Sequence, residues 1–184
     1  MPQNTTATTA TDAPALRGFD AVPADDLLPI LTELSGSAGW AQAMLEGRPY
    51  RSRESLHAAA RRVLAEQSDA EVLAAVDAHP PIGAGAGAGA GAEPVGDASA
   101  REQSAAATAD AELARRLSEG QRRHAEHFGH AFLVCATGMS AQEIAGELDR
   151  RITLGAAEEL ACTREHLARI NALRLDRLLD TGAL

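Results

Sequence analysis

The stretch that decides the fold class is Ala156–Leu179, AAEELACTREHLARINALRLDRLL. Its apolar residues recur every three or four positions, which is the spacing of one face of an α-helix. The residues predicted to face the core are Leu160, Leu167, Ile170, Leu173, Leu175 and Leu178. The sequence therefore predicts a long C-terminal helix that packs through one side.

Segments with the same helical spacing fill most of the remaining chain. Ser68 with Glu71, and Ser140 with Glu143, form capping boxes, in which both side chains satisfy amides at the start of a helix. The predicted helices are 25–34, a short segment around Trp40, 52–67, 69–76, 97–128 with a break near Thr108, 140–152 and 156–179. The strand-like run 132–135 is too isolated to form a sheet. We therefore predict an all-α, single-domain bundle of seven or eight helices.

Two segments are predicted to lie outside regular structure. Residues 1–17 are small, polar and aperiodic, which is typical of a disordered tail. Residues 83–96 contain an alternating Ala-Gly tract, a low-complexity composition that predicts a mobile loop. The helical domain is accordingly predicted to span residues 18–182.

Composition and charge exclude several classes of function. All 17 basic residues are arginines, so neither a Schiff base nor the lysine of a P-loop is available. The net charge of −9 argues against nucleic acid as a partner. The chain of 184 residues has two cysteines, no signal-peptide pattern and no run of apolar residues long enough to cross a membrane. These features predict a cytoplasmic protein.

The first group of candidate functional residues lies on either side of the Ala-Gly tract. Ser99, Glu102 and Gln103 have the spacing of one helical face, and together they offer a hydroxyl, a carboxylate and an amide to a polar ligand. His79 stands beside Pro80 and Pro81, which end the preceding helix. The alternative interpretation is a solvated polar face and a histidine that caps a helix.

Histidines and one arginine form the other candidates. His124, His127 and His130 are three residues apart, which favours a solvated helix end over a zinc site, because zinc ligands must converge. Cys162 and His166 lack further ligands, so no metal site is predicted. Arg174 interrupts the apolar face of the last helix and must pair with an anion, which belongs either to the protein or to a substrate.

Four motifs follow one another along the chain. They are Ala-His-Pro-Pro-Ile-Gly at 78–83, Ser-Ala-Arg-Glu-Gln at 99–103, Phe-Gly-His-Ala-Phe-Leu-Val-Cys-Ala-Thr-Gly at 128–138 followed by Ser-Ala-Gln-Glu-Ile at 140–144, and Arg-Ile-Asn-Ala-Leu-Arg-Leu at 169–175. In this order they resemble the motifs of one family, the 2-oxo-4-hydroxy-4-carboxy-5-ureidoimidazoline (OHCU) decarboxylases of urate breakdown, in their bacterial form. The resemblance extends from about Phe19 to Leu179.

The resemblance implies an all-α, cofactor-free and usually dimeric enzyme that forms (S)-allantoin. It implies that His79 is the catalytic acid–base and Glu102 its partner. The residues that it implies for substrate binding are Pro80, Ser99, Gln103, Arg174 and the backbone of Phe132, Leu133, Val134, Cys135 and Ala136. A hydrolase that acts on 5-hydroxyisourate is the implied upstream partner.

The chemistry of this substrate agrees with what the composition allows. The carboxylated carbon of OHCU is adjacent to a ring C=N bond, so the substrate accepts the electron pair that CO₂ leaves behind, without a cofactor. The competing interpretation is a helical interaction module that retains the family fold without its activity.

Overall fold

The structure, a computed structural model, describes residues 12–79 and 100–181, with the backbone alone at 12–13 and 100–110. These residues form eight α-helices and no strand, which confirms the predicted all-α class. The helices are α1 (Asp12–Ala21), α2 (Ala24–Ser35), α3 (Ala38–Glu46), α4 (Arg53–Glu66), α5 (Asp69–Asp77), α6 (Ala100–Phe128), α7 (Ala141–Arg151) and α8 (Ala156–Thr181). None of them is long and apolar enough to span a membrane.

The described residues group into two compact units, and α8 contributes to both. The first unit contains residues 12–78 and 164–181. In it α3 packs against α2 and α4, and the buried indole of Trp40 donates a 3.0 Å hydrogen bond to the carbonyl oxygen of Ala60. Arg164 on α8 donates to the carbonyl oxygens of Leu64 and Gln67, which joins α8 to the end of α4.

The second unit contains residue 79 and residues 100–163. Its core lies between α6, α7 and the extended segment that connects them. Phe132 and Val134 of this segment pack with Ile144 and Leu148 of α7, and Leu117 of α6 lies against the cluster. The close packing of α6 on α7 therefore anchors side chains of the connecting segment.

The predicted capping boxes are confirmed. The hydroxyl of Ser140 accepts from the amide of Glu143, and the Glu143 carboxylate accepts from the amide of Ser140. Ser68 and Glu71 make the same reciprocal pair at the start of α5. These local hydrogen bonds satisfy amides that have no partner within the helix, and they fix where each helix begins.

Two predicted boundaries are wrong. Residues 12–17 are helical because Leu16 and Phe19, one turn apart on α1, are both buried. Helix α6 passes through Thr108 without a break, because a single β-branched residue lowers helix propensity only slightly. The predicted start of this helix at Asp97 and the predicted loop at 83–96 lie outside the described residues.

The predicted buried face of α8 is only partly correct. Leu167 and Leu175 are fully buried, whereas four other predicted residues are half-buried, namely Leu160, Ile170, Leu173 and Leu178. The buried positions also include polar residues, namely Glu159, Thr163, His166 and Asn171. The helix is held in part by polar contacts that hydrophobic spacing does not reveal.

Candidate active site

His79 lies two residues beyond the end of α5 and is only 7% exposed. The helix stops at this point with Ala78, whose amide still donates to the carbonyl oxygen of Ala74. The imidazole is therefore withdrawn from bulk solvent. Both interpretations of this residue, a catalytic acid–base and a histidine that caps a helix, stay predictions.

The partners predicted for His79 fall in or beside the part of the chain that the structure does not describe. Glu102 and Gln103 lie in the first turn of α6, which confirms that they are helical, and their side chains are not described. Pro80 and Ser99 lie outside the described residues. The predicted grouping of these four residues with His79 stays a prediction.

Residues 132–136 form an extended segment between α6 and α7. Phe132, Val134 and Ala136 alternate along it and pack into the α6–α7 core, as side chains on one face of an extended chain do. Phe132, Leu133 and Val134 make no backbone–backbone hydrogen bond with another residue of the described ranges. The segment thus combines an anchored row of side chains with a backbone that is not used in a helix or sheet.

A buried arginine holds the carbonyl group of Leu133, the second residue of this segment. Arg151, the last residue of α7, has no exposed surface, and its Nη1 donates a 2.7 Å hydrogen bond to the carbonyl oxygen of Leu133. Its guanidinium carbon also lies 4.7 Å from the centre of the Phe132 ring, within the range of a cation–π interaction.

The opposite side of the same guanidinium forms an ion pair with Glu159 in the first turn of α8. Nε of Arg151 donates to one carboxylate oxygen at 2.8 Å, and Nη2 donates to the other. Nη2 also donates to the hydroxyl of Thr163 at 2.7 Å. A bidentate pair of this kind fixes orientation as well as charge, and the two helix termini favour its charges.

Glu159 is ionised in this setting. Burial alone would raise its pKa, but hydrogen bonds from His124 and Arg151 and the positive charge of Arg151 outweigh burial and lower the pKa to about 2. Nε2 of His124 lies 2.8 Å from Oε1 of Glu159, and Thr163 donates to the same oxygen at 3.1 Å. An ionised carboxylate only accepts hydrogen bonds, so Nε2 of His124 carries the proton.

The prediction that the histidines at the end of α6 are solvated is wrong for two of the three. His124 has no exposed surface and His130 is 8% exposed, while His127 is exposed. The ring of His124 packs against those of Phe128, His130 and Phe132, because the left-handed turn at Gly129 returns the chain toward α6.

His124, His130 and Glu159 bring ligand atoms within 4.8 Å of one another, a spacing that a metal ion would also accept. The carboxylate, however, already binds the Arg151 guanidinium through both oxygens. A divalent cation would have to displace this buried positive charge. The donor set therefore fits a hydrogen-bonded ion-pair network better than a metal centre.

Arg174, in the first unit, makes a contact that neither predicted alternative included. Its Nη1 donates a 2.6 Å hydrogen bond to the backbone carbonyl oxygen of Leu34 near the end of α2. Burial and the nearby charge of Arg177 hold the pKa of Arg174 below its usual value. Its approach to a substrate stays a prediction.

The family model for OHCU decarboxylases matches residues 20–176. The chain belongs to the OHCU decarboxylase family. The match includes the segment 132–136 and every site residue predicted from the motifs. No curated protein sequence gives a significant match to this chain.

Two solved structures share the fold of this family member. A crystal structure of OHCU decarboxylase in the presence of (S)-allantoin superimposes with a TM-score of 0.64 at 23% identity, covering 82% of this chain and 97% of the other. A crystal structure of (S)-allantoin synthase gives a TM-score of 0.65 at 15% identity and covers 88% of this chain. This chain spans 53% of that protein's length.

Sequence reasoning missed the buried ion-pair network in the second unit of this family member. Arg151, Glu159 and Thr163 are not apolar, so a hydrophobic pattern does not select them, although Glu159 and Thr163 lie eight and four residues before Leu167 on one face of α8. A second signal was charge at helix termini, since Arg151 ends α7 and Glu159 lies in the first turn of α8. That signal predicts a favourable position for each charge, but only the packed structure shows that the two meet.

Proposed function

We propose that this chain decarboxylates 2-oxo-4-hydroxy-4-carboxy-5-ureidoimidazoline to (S)-allantoin and CO₂ without a cofactor. The observation that carries the proposal is the family match over residues 20–176, which includes the motif residues His79, Glu102 and Arg174. The burial of His79 supports it, because a general acid–base works best where bulk water does not compete for its proton.

The reaction needs proton transfer and a fixed orientation of the substrate. The bond to the carboxylate breaks, its electron pair forms a double bond between the two ring carbons, and the C=N electron pair takes a proton on nitrogen. The hydroxyl group then loses its proton to become the carbonyl of allantoin, while the carbon that bears the ureido group gains a proton. One proton is consumed overall for each CO₂ released.

The roles of the residues follow from these steps. His79, assisted by Glu102, accepts the hydroxyl proton, and one of the two delivers a proton to a single face of the intermediate, which sets the S configuration. Pro80, Ser99, Gln103 and the backbone of residues 132–136 hold the ring and ureido amides. Arg174 binds an anionic or carbonyl group of the substrate. Acid–base catalysis of this kind contributes about 10²–10⁴-fold.

The proposed reaction also suggests the oligomeric state of the enzyme, its location and the source of its substrate. We propose a cytoplasmic homodimer that receives its substrate from a hydrolase acting on 5-hydroxyisourate. The substrate decays spontaneously to racemic allantoin, so an enzyme that controls its fate must act promptly after its formation. Size-exclusion chromatography with light scattering tests the dimer directly.

The test of the proposed roles compares His79→Ala and Glu102→Gln with His127→Ala, a matched change at an exposed histidine of α6. We expect His79→Ala to lower kcat by at least about 100-fold and His127→Ala to leave it unchanged. Glu102→Gln keeps a hydrogen-bonding group but removes the carboxylate, so racemic product from this variant would assign the stereospecific proton to Glu102. Near-wild-type turnover by His79→Ala would contradict the role of His79.

A further inference from the structure

The segment 132–136 must keep a fixed shape to serve as a binding surface, although neither a helix nor a sheet supports it. The side chains of Phe132, Val134 and Ala136 anchor one face of it in the α6–α7 core. Apolar packing of this kind fixes how deeply the side chains are buried, but it leaves the peptide groups comparatively free to rotate. An additional restraint on the backbone is needed to aim its amides and carbonyl groups.

The guanidinium of Arg151 supplies that restraint. It is fully buried, and it joins the Leu133 carbonyl oxygen on one side to the Glu159 carboxylate on the other. The hydrogen bond to Leu133 restrains the second residue of the segment, and the cation–π contact with Phe132 restrains the preceding residue. One side chain thus holds two consecutive residues of the segment.

Arg151 is itself held firmly. Glu159 binds it through both carboxylate oxygens, and Thr163, one turn later on α8, accepts a hydrogen bond from Nη2. His124 on α6 donates to the same carboxylate. The restraint on Leu133 therefore connects three helices, and a guanidinium so fixed cannot follow a movement of the segment.

We propose that Arg151 is a positioning residue for catalysis. Through its hydrogen bond to Leu133 it orients the backbone of residues 132–136, and this backbone then binds the substrate amides. Glu159 and His124 hold Arg151 in the position that this role requires. The inference rests on the proposed function, since it concerns the same binding surface. It assigns to the ion-pair network a role in substrate affinity beyond its role in packing.

Two variants separate the restraint on the segment from the ion pair. Arg151→Lys keeps the positive charge beside Glu159, but one ammonium group cannot reproduce the planar fork that reaches both the carboxylate and Leu133. The double variant Arg151→Met/Glu159→Leu removes both buried charges while keeping side-chain volume, a replacement that buried ion pairs often tolerate. Arg116→Ala is the matched control, because Arg116 is exposed and pairs with Asp149 between α6 and α7.

The expected result is a selective loss of substrate affinity. Both variants should raise KM by about tenfold or more and change kcat by less than about threefold, because the segment binds substrate and transition state alike. Amide hydrogen exchange within residues 132–136 should become at least about tenfold faster, with α6 and α7 unchanged. Arg116→Ala should show neither effect.

The proposal is overturned if a folded Arg151 variant keeps the wild-type KM and wild-type exchange in this segment. The milder variant Thr163→Val decides the matter if both variants unfold, because it removes only the hydroxyl that accepts from Nη2 of Arg151. It should raise KM and speed exchange within residues 132–136, and wild-type values of both would contradict the proposal. A wild-type protein that does not decarboxylate OHCU would instead contradict the proposed function, so the two failures are distinguishable.

Discussion

The guanidinium of Arg174 donates a 2.6 Å hydrogen bond to the carbonyl oxygen of Leu34, one residue before the end of α2. The last carbonyl groups of a helix lack partners within it and lie at the negative end of its dipole. Arg174 thus stabilises the end of α2, and its fork of five N–H donors is suited to binding a substrate group as well.

Arg174→Lys should therefore affect both stability and activity. A lysine reproduces neither the guanidinium geometry at the Leu34 carbonyl oxygen nor a planar contact to a second acceptor, so we expect kcat/KM to fall more than about tenfold and the free energy of unfolding to fall by about 1 kcal/mol. Steady-state kinetics and urea unfolding measure the two effects. Arg177→Lys, one turn along the same helix and exposed, is the control. Equal activity in the two variants would remove Arg174 from the substrate site.

The pKa of Glu159 makes stability depend on pH. The carboxyl group has a lower pKa in the folded protein, about 2, than its ordinary value of 4.5, so its stabilising effect is complete above pH 4.5 and is lost as the pH falls toward 2. A shift of this size corresponds to roughly 3 kcal/mol. Between pH 5 and about 2.5, the free energy of unfolding measured in urea should fall less in Arg151→Met/Glu159→Leu than in the wild type. An identical pH profile for the two proteins would contradict the ionised pair.

Substitution by alanine should have opposite effects on stability at two glycines. A Cβ atom at Gly120 of α6 would lie 2.5 Å from Cδ2 of the buried Leu148, whereas a Cβ atom at Gly146 of α7 would have, apart from its own helix backbone and chain neighbours, no atom of the described residues within 4 Å. Gly120→Ala should lower the free energy of unfolding by about 1–3 kcal/mol through overpacking, and Gly146→Ala should raise it by about 1 kcal/mol through helix propensity. Thermal unfolding distinguishes them. Stabilisation by both substitutions would show that α6 and α7 are not so closely packed.

Asn171 of α8 is 2% exposed, and neither its Nδ2 nor its Oδ1 makes a hydrogen bond within the described part of the chain. A buried amide without partners costs about 1–3 kcal/mol. Asn171→Leu, of similar volume, should therefore raise the free energy of unfolding by about 1 kcal/mol, measured in urea. A decrease would show that the amide has a partner in solution, such as a water molecule.

The features predicted correctly from the sequence are those set by neighbouring residues. The capping boxes at Ser68 and Ser140, and the end of α5 before Pro80, depend on contacts within a few positions of the chain. The motifs around His79 and residues 132–136 likewise indicate the family, because each is a short run of consecutive residues.

The features that sequence reasoning missed depend on contacts between distant segments. His124 and Glu159 are 35 residues apart, and their burial follows from the packing of α6 against the start of α8. Polar residues on a buried face weaken the hydrophobic spacing on which helix orientation is predicted, so the buried stripe of α8 was only partly identified. The helical conformation of residues 12–17 was missed for a related reason, since it depends on burial of Leu16 and Phe19.

The most direct test of the decarboxylase assignment is circular dichroism of the product while OHCU is generated from urate, with and without this protein. We predict a rapid signal from (S)-allantoin that grows with enzyme concentration and disappears in His79→Ala. Racemic product formed at the spontaneous rate in the presence of the wild-type protein would contradict the assignment, and it would favour an interaction module that retains the family fold.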